Sequence, residues 1–503
     1  MRKIPSTIAT QHPDNANAPF WNKDKEPFIN TYQETEECFI CFERLGIEEY
    51  MWDWEGKNAD ASVVDKLLSK YYPYFNDNEL GKNKFLTFRV PNIWEEKGYS
   101  LLQAMTVILS GEDFARDLDF KSRPLFEVIL PMTVNASQLM HLHKLFNKFS
   151  KFKSSEFTPD RKANSINLEV IPLVEDAKSQ REIGKLLASY ISMHQKEYGK
   201  KPEYIRVFLA CSDPALTEGF IATKLSNKLA LVEIAKATKK TGVLMYPFAG
   251  AGSLPFRGGL TPDTVEEFAK DFSGLRTITL QSAFRYDYPK DQVKQAVKWL
   301  NKNLAKNQTE PLPETDKKTL DKIAGASSNI YRQTLKKVGP EMQQVFEAVP
   351  KRRERRQHVG LLAYKRSSAG LTLPRAITFT AGFYTIGVPP EFIGSGRTLA
   401  KLSKKEFETV KNFSKTIVDD FIRAGNFLNK ENLAELASSN EGWNEVKEDV
   451  EKLENLLKTR FGPHSAEQKK HIKLSKSALK NKNKPEKLQK IIEQSAKLRR
   501  SLG

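Results

Sequence analysis

Several side chains able to do chemistry stand where short apolar runs of this chain give out. Glu175 follows Ile171-Pro172-Leu173-Val174, and Asp213 follows Phe208-Leu209-Ala210-Cys211-Ser212. Two carboxylates so placed offer an oxygen donor set that suits a hard divalent cation such as Mg²⁺ or Mn²⁺. Either acid alone fits equally well as a helix N-cap or first-turn residue after its run. Arg257 sits in the stretch Phe248-Ala249-Gly250-Ala251-Gly252-Ser253-Leu254-Pro255-Phe256-Arg257-Gly258-Gly259, and Arg285 follows Gln281. Closely spaced glycines let backbone N–H groups approach an anion, and an arginine supplies a fork of donors for phosphate or carboxylate. The stretch lacks both GxxxxGK[ST] and GxGxxG, so it is neither a P-loop nor a dinucleotide fingerprint. His12 precedes Pro13, which keeps it extended and lets its ring be aimed at one place, although a surface turn histidine is the commoner case. Arg375 enters an apolar run in Leu373-Pro374-Arg375-Ala376-Ile377, so it should be partly buried and in need of an anionic partner. Arg352, Arg353, Arg355 and Arg356 read instead as a solvated helix face, and His141 and His143 as structural.

The elements that must position these groups show a repeating rhythm. Apolar or β-branched runs at Leu125–Met132, Ile166–Leu173, Tyr204–Ala210, Gly242–Phe248 and Thr277–Gln281 alternate with helical patterns at 136–149, 177–194, 217–238 and 264–270. The run Gly242–Phe248 is apolar enough to be buried on both faces. Another short strand is expected at Lys84–Val90, and residues 1–60 read as irregular. Strands alternating with helices argue for parallel βαβ units, and a barrel gathers the C-terminal strand ends, where the charged residues fall, on one face. The expected fold is therefore an α/β, TIM-type (β/α)8-like barrel with many additional helices. It forms a single unit over 1–503: an N-terminal segment at 1–120, a βα core at 121–300 and a mainly helical part at 301–503.

Of 503 residues, 80 are Lys or Arg and 62 Asp or Glu, a formal charge of +18, and half of that excess lies in Ser465–Gly503. This tail reads as one or two basic amphipathic helices with Leu474, Leu479, Leu488, Ile491, Ile492 and Leu498 as apolar contacts. It has no aromatic residue to stack on bases, which argues against nucleic acid and leaves a solvated surface or steering of anionic substrates. No apolar run approaches the roughly 20 residues needed to cross a bilayer. The N-terminus turns polar at once, and three cysteines make no disulfide framework, so the reading is a cytoplasmic protein with no membrane partner.

With these residues in view, the sequence closely resembles the short, archaeal-type phosphoenolpyruvate carboxylase family. Ile4-Pro5-Ser6-Thr7-Ile8-Ala9-Thr10-Gln11-His12-Pro13-Asp14-Asn15 is similar to its N-terminal signature, and Met51-Trp52-Asp53-Trp54-Glu55-Gly56-Lys57 to a segment typical of the short form. Thr87-Phe88-Arg89-Val90-Pro91-Asn92 resembles a segment with a phosphate-contacting arginine. The runs ending in Glu175 and Asp213 resemble its two metal-ligand segments, and Arg257-Gly258-Gly259 its glycine-rich loop. Arg285 and Arg375 match further family arginines, Arg366 more loosely, and Ser501-Leu502-Gly503 resembles the family's glycine-ended terminus. One departure is clear: where longer members carry a second loop arginine, this chain has Ala251.

The resemblance implies a barrel of the phosphoenolpyruvate/pyruvate superfamily and, as its reaction, irreversible β-carboxylation of phosphoenolpyruvate by bicarbonate to oxaloacetate and phosphate. It implies catalytic roles for His12, Arg257 and Arg375, and substrate contacts from Arg89, Arg285, Arg366, Gly258 and Gly259. Glu175 and Asp213 would hold Mg²⁺ or Mn²⁺. Replenishment of four-carbon acids for the tricarboxylic acid cycle and a homotetramer are implied as well. Another metal-dependent phosphoenolpyruvate/pyruvate-barrel lyase or aldolase is the alternative, separated by whether oxaloacetate forms only with bicarbonate.

Overall fold

The structure, a computed structural model, describes residues 2–57, 59–95, 98–157, 168–354, 366–368 and 370–503, with side chains left aside at 366–368. Eight parallel strands close into a barrel in chain order: β1 (Thr7–Thr10), β2 (Glu49–Asp53), β3 (Phe85–Arg89), β4 (Glu127–Leu130), β5 (Glu169–Val174), β6 (Tyr204–Ala210), β7 (Leu244–Gly250) and β8 (Thr277–Leu280). Closure is made by β1 against β8, with Ile8 opposite Thr279. Short strands suffice because each is paired on both sides and covered by helices outside.

Two of these strands, β1 and β2, lie in the segment that the sequence reading left irregular. They are four and five residues long, and polar residues occupy Thr7, Thr10, Glu49 and Asp53, so no apolar run marks them. The remaining strands stand within a few residues of their expected places. In β7, burial begins late, since Leu244 is 38% exposed while Pro247 to Gly250 are buried.

Inside the barrel the lowest layer is ionic. Glu49, Glu127, Arg206 and Thr277 come from β2, β4, β6 and β8, the alternate-strand layering usual in such barrels. Arg206 donates to Glu49 at 2.8 and 2.7 Å, to Glu127 at 2.8 Å and to Thr277 at 3.1 Å. Above it Ile8, Met51, Ile129, Ile171, Leu173, Phe208, Ala210 and Phe248 form an apolar plug, with the Phe208 and Phe248 rings stacked 3.8 Å apart.

The expected helix over 217–238 is two helices, Ser212–Glu218 and Phe220–Thr241, broken at Gly219. Gly219 has φ +88°, and a Cβ there would meet the Tyr331 ring at 2.6 Å, so only glycine permits the sharp entry. From residue 314 the described residues are mainly helical, apart from an extended stretch at 350–354 and a hairpin of β9 (Arg366–Ser368) and β10 (Leu371–Leu373). These helices build a second core around Phe379, Phe383, Phe392, Phe421 and Trp443, joined to the barrel through Phe220, Leu225 and Leu229. The tail forms the helices Ala466–Lys480 and Pro485–Arg499, with Leu479, Leu488, Ile491 and Ile492 buried in that core.

The arginine run is not a solvated helix face. Arg352 and Arg353 are 5% and 3% exposed in an extended stretch, bridged to Ile29. Arg353 donates to Glu34 at 3.1 Å and to both Glu37 oxygens at 2.7 Å, partners contributed by a helix too distant in sequence for spacing to reveal. Arg355 and Arg356 lie outside the described residues. His143 is buried against the Tyr190 hydroxyl at 2.6 Å and His141 is exposed, as a structural role requires.

Candidate active site

The C-terminal ends of the strands carry most of the residues singled out from the sequence. Glu175 directly follows β5, and Asp213 lies just beyond β6, on strands paired at Val174 and Leu209. The helix-cap role beside Glu175 belongs to Asp176, which accepts from the Ser179 N–H at 2.7 Å. Asp213 does sit in the first turn of Ser212–Glu218. Both acids are half-buried, as a site open to a hydrated cation requires. Among the described residues no group of three or more His, Cys, Asp or Glu gathers as a closed metal cage. A pair of carboxylates completed by water or substrate oxygens is the arrangement that Mg²⁺ tolerates best.

Arg89, the last residue of β3, is gripped by Asp53, the last residue of β2, and by Glu55 just beyond it. It donates to Asp53 at 2.9 and 2.6 Å and pairs with Glu55 at 2.7 Å. Burial alone would lower its pKa, but Asp53, Glu55 and the more distant Glu175 keep it above the usual arginine range. Arg89 is therefore a fixed charge, within electrostatic reach of one candidate metal ligand.

Arg257 is fully buried at the heart of a second cluster. It pairs with Asp14 at 3.1 Å, donates to Ser212 Oγ at 3.2 Å and bonds the Gln281 side chain and the Gly503 carbonyl. Leu502 N–H returns a bond to the Asp14 carbonyl at 2.7 Å. Four distant segments thus converge on one guanidinium. Burial pushes the Asp14 carboxyl up more than Arg257 pulls it down, and burial likewise lowers Arg257. A cation with one carboxylate that resists ionisation retains attraction for an incoming anion.

The glycine-rich loop is closed on itself rather than displayed to a ligand. Gly252 N–H bonds the Arg257 carbonyl at 2.6 Å, and Gly258 and Gly259 N–H bond Pro255 and Leu254, each at 3.0 Å. The expectation that Gly258 and Gly259 offer their amides to an anion is corrected by this internal pairing. Their use is conformational: φ is +117° and +77°, and a Cβ on Gly258 would lie 2.7 Å from the Ala251 Cβ. Ala251 itself is buried, and its backbone exchanges bonds with Thr279 Oγ1 at 3.0 and 3.1 Å.

His12 follows β1, is half-buried, and its Nδ1 lies 2.9 Å from Thr10 Oγ1. Arg375 is the half-buried N-cap residue of the helix Ala376–Thr385. That helix packs on Ser212–Glu218, which carries Asp213, and its Ile377 and Ala381 backbone touches Gly503. Of Arg366 the backbone is described, paired with Leu373 in a hairpin beside the same Ser212–Glu218 helix. Arg285 is not brought into the open cluster. It is fully buried, donating to Glu37 at 2.9 Å and the Thr10 carbonyl at 3.0 Å, so it braces the end of β1 from behind.

Residues given no individual role from the sequence complete the face. Lys57 is buried, bonding Glu34 and, at 3.1 Å, Gln11 Oε1, which also accepts from the Asp53 N–H at 2.9 Å. This chain of bonds ties the ends of β1 and β2 together. The available signal was polar residues immediately after short strands, hidden because β1 and β2 themselves were not legible.

Comparison with known proteins agrees with this picture. The family model described as phosphoenolpyruvate carboxylase matches residues 4–503. A phosphoenolpyruvate carboxylase of Leuconostoc mesenteroides is 46% identical over 503 residues, covering 100% of this chain and 99% of the relative. One of Oenococcus oeni is 44% identical, covering 100% and 99%. One of Metallosphaera sedula is 35% identical, covering all of both chains.

Proposed function

The chain belongs to the phosphoenolpyruvate carboxylase family, and from that premise we propose that its barrel carboxylates phosphoenolpyruvate with bicarbonate to give oxaloacetate and phosphate. The observation that carries the reading is the convergence, at one barrel face, of an oxygen pair on adjacent strands with a buried arginine whose carboxylate partner resists ionisation.

Arg89, Arg257 and Arg375 neutralise the phosphoryl group while a bicarbonate oxygen attacks phosphorus. The phosphorus–enol oxygen bond breaks, leaving carboxyphosphate and the enolate of pyruvate. His12 accepts the carboxyphosphate proton, and the carbon–oxygen bond to phosphate then breaks to release CO₂. The enolate methylene carbon attacks CO₂, giving oxaloacetate. Glu175 and Asp213 would hold the divalent cation, Mg²⁺ or Mn²⁺, which when bound polarises the enol oxygen. Gly503 and the internally bonded glycine loop cover the arginine and exclude water, which would otherwise protonate the enolate to pyruvate.

A homotetramer in the cytoplasm, feeding four-carbon acids to the tricarboxylic acid cycle, belongs to the same proposal and is supported by the family resemblance. Size measurement of the purified chain tests the assembly. The activity is tested by following oxaloacetate and phosphate release from phosphoenolpyruvate, with and without bicarbonate, Mg²⁺ and a chelator. Product that forms without bicarbonate, or without phosphate release, overturns the assignment.

A further inference from the structure

Behind His12 the backbone is gripped by a carboxylate that does not face the substrate-binding arginines. Asp287, the C-cap of the helix Ser282–Tyr286, accepts from the Ala16 N–H at 2.8 Å, the Asn17 N–H at 2.7 Å and Asn17 Nδ2 at 3.0 Å. It is 7% exposed. The same helix holds the front of the segment, because Ser282 N–H bonds the His12 carbonyl at 3.3 Å and Ala283 N–H bonds Asp14 Oδ1 at 2.7 Å. Residues 12–17 are thus pinned at both ends to one short helix. Arg352 Nε, at 3.3 Å from the Asn15 carbonyl, and Leu502 N–H hold the middle.

We propose that Asp287 is a positioning residue for the reaction: by fixing the chain at Ala16 and Asn17, its carboxylate sets where His12 and the Asp14–Arg257 pair meet the substrate. The proposal rests on the role given to His12 above. All three hydrogen-bonded neighbours are donors, so the ionised carboxylate accepts all of them, and a proton on either oxygen weakens the grip by competing with an N–H for its lone pairs. Burial pushes the Asp287 carboxyl up to about 7, opposed by the Ala16 and Asn17 N–H bonds and assisted by the charge of Asp14. Tyr288 is the neighbouring titratable group on its own strand of chain, and Arg352 and Arg499 feel the charge of Asp287 from the other elements packed against it.

The sign of the linkage is distinctive. The buried acid binds a proton in the folded state that the unfolded chain would not hold until lower pH. Its contribution to stability therefore rises as pH falls through about 7. The local grip is lost over the same interval. Global stability and local order at residues 16–17 move in opposite directions, which packing alone does not produce.

The test uses the full-length protein and its Asp287→Asn variant. Turnover should fall about 10- to 100-fold, the cost of a small misplacement of reacting groups. KM for phosphoenolpyruvate should stay within about twofold and the share of pyruvate over oxaloacetate should rise, as expected when the carboxyphosphate step is spoiled. Hydrogen exchange should show the Ala16 and Asn17 amides losing protection in the variant, and in the wild type between pH 8 and 6. Normal turnover and product ratio in a folded variant overturn the proposal, whatever the exchange shows. Should the variant not fold, wild-type protection that stays constant from pH 8 to 6 overturns it, and protection that falls upholds it. His12→Asn separates the two readings. If that variant makes oxaloacetate normally, the role of His12 fails, and the Asp287 grip is then judged by whether exchange at residues 16–17 changes in Asp287→Asn.

Discussion

The two ends of the barrel handle buried charge in opposite ways. At the N-terminal end Arg206 faces two carboxylates, Glu49 and Glu127, all three essentially unexposed. Burial by itself would raise Glu127, yet Arg206 and Arg2 hold it down at about 2. At the C-terminal end Arg257 has one side-chain carboxylate, which burial pushes up, and its other side-chain partners, Ser212 and Gln281, are neutral. Arg499, nearby, is bonded to the Leu502 carbonyl, Ser495 and His471, and among the described residues it has no carboxylate within ion-pair distance. A saturated ion layer contributes shape and nothing to binding. An end with positive charge in excess of its ionised partners attracts anions. The same residue type is structural at one end and functional at the other because of what its neighbours supply.

The largest effect belongs to the open end. Glu175→Gln or Asp213→Asn should lower turnover at least about a thousandfold, since Lewis-acid stabilisation is worth several kcal/mol. Thermal stability should hardly change, because both side chains are half-buried at the rim. Near-normal rates in saturating Mg²⁺ would remove that residue from the metal site.

The closed end should answer in the other observable. Arg206→Met leaves Glu49 and Glu127 buried without their shared cation, a loss of about 3–5 kcal/mol in unfolding free energy. Denaturation midpoints and soluble yield should drop while activity per folded molecule persists. A variant that is stable but inactive would show that the ion layer reaches the chemistry, and the contrast between the ends would collapse.

How much of this was legible in the sequence follows from which end one asks about. The strand ends at Val174, Ala210 and Gly250 are visible because apolar runs lead up to them, and Glu175, Asp213 and Arg257 are found by that route. The strands β1 and β2 were not, since the ionic layer places Glu49 where an apolar residue marks an ordinary strand. The same cause hid Lys57, Gln11 and Asp53, whose positions make sense only once β2 is known to end there. Arg352 and Arg353 were misread because a run of arginines looks solvated until Glu34 and Glu37 arrive from more than 300 residues away. The glycine loop is visible in the sequence, but the bonding of the Gly252, Gly258 and Gly259 amides to carbonyls of the loop itself is a pairing that spacing does not disclose.

Gly503→Ala tests the lid over the open end. A Cβ at this position would lie 2.1 Å from the Ile377 carbonyl oxygen and 2.7 Å from Ala381 N, so the chain must withdraw and the bond to Arg257 must loosen. Turnover should drop about tenfold or more, in line with the sensitivity of reacting groups to small displacements. Stability should shift little, since the apolar anchors of the tail, Leu488, Ile491 and Ile492, are untouched. Full activity would mean that the Gly503 carbonyl is a bystander to Arg257.

pH offers a milder probe of the same contrast. Glu127 and Glu37 are held at about 2, Glu37 because Arg353 and Arg285 outweigh the effect of burial. Carboxylates depressed in this way add stability that is complete above their unfolded pKa and is lost progressively as pH falls from there through about 2. These two carboxylates should therefore leave the melting temperature unchanged between pH 8 and 5; over that range Asp287, Glu169 and Glu391, which burial pushes up to about 7, add stability as they take up protons, and the buried His143 and His471, which burial pushes down, subtract it. Activity should decline on the acid side of pH 7. Parallel loss of both would place the titrating groups in the fold rather than in the site.

The smallest effect is expected from the surface of the tail, and it separates charge that is placed from charge that is merely present. Arg499, buried on the helix Pro485–Arg499, shapes the turn that brings Gly503 to Arg257, whereas Lys469, Lys470, Lys473 and Lys480 are exposed on the preceding helix. Exposed lysines act on an anionic substrate only through the field of the whole protein, screened over about 10 Å at 0.1 M salt. Replacing all four by Gln should raise KM for phosphoenolpyruvate about twofold at low ionic strength and leave kcat alone. The difference should vanish at high salt, because screening removes the field but not a contact. An effect on kcat, or one that survives at high salt, would mean that these lysines touch the working face. No effect at any salt would make the basic surface of the tail simply solvated, and the attraction for anions would belong to the buried arginines alone.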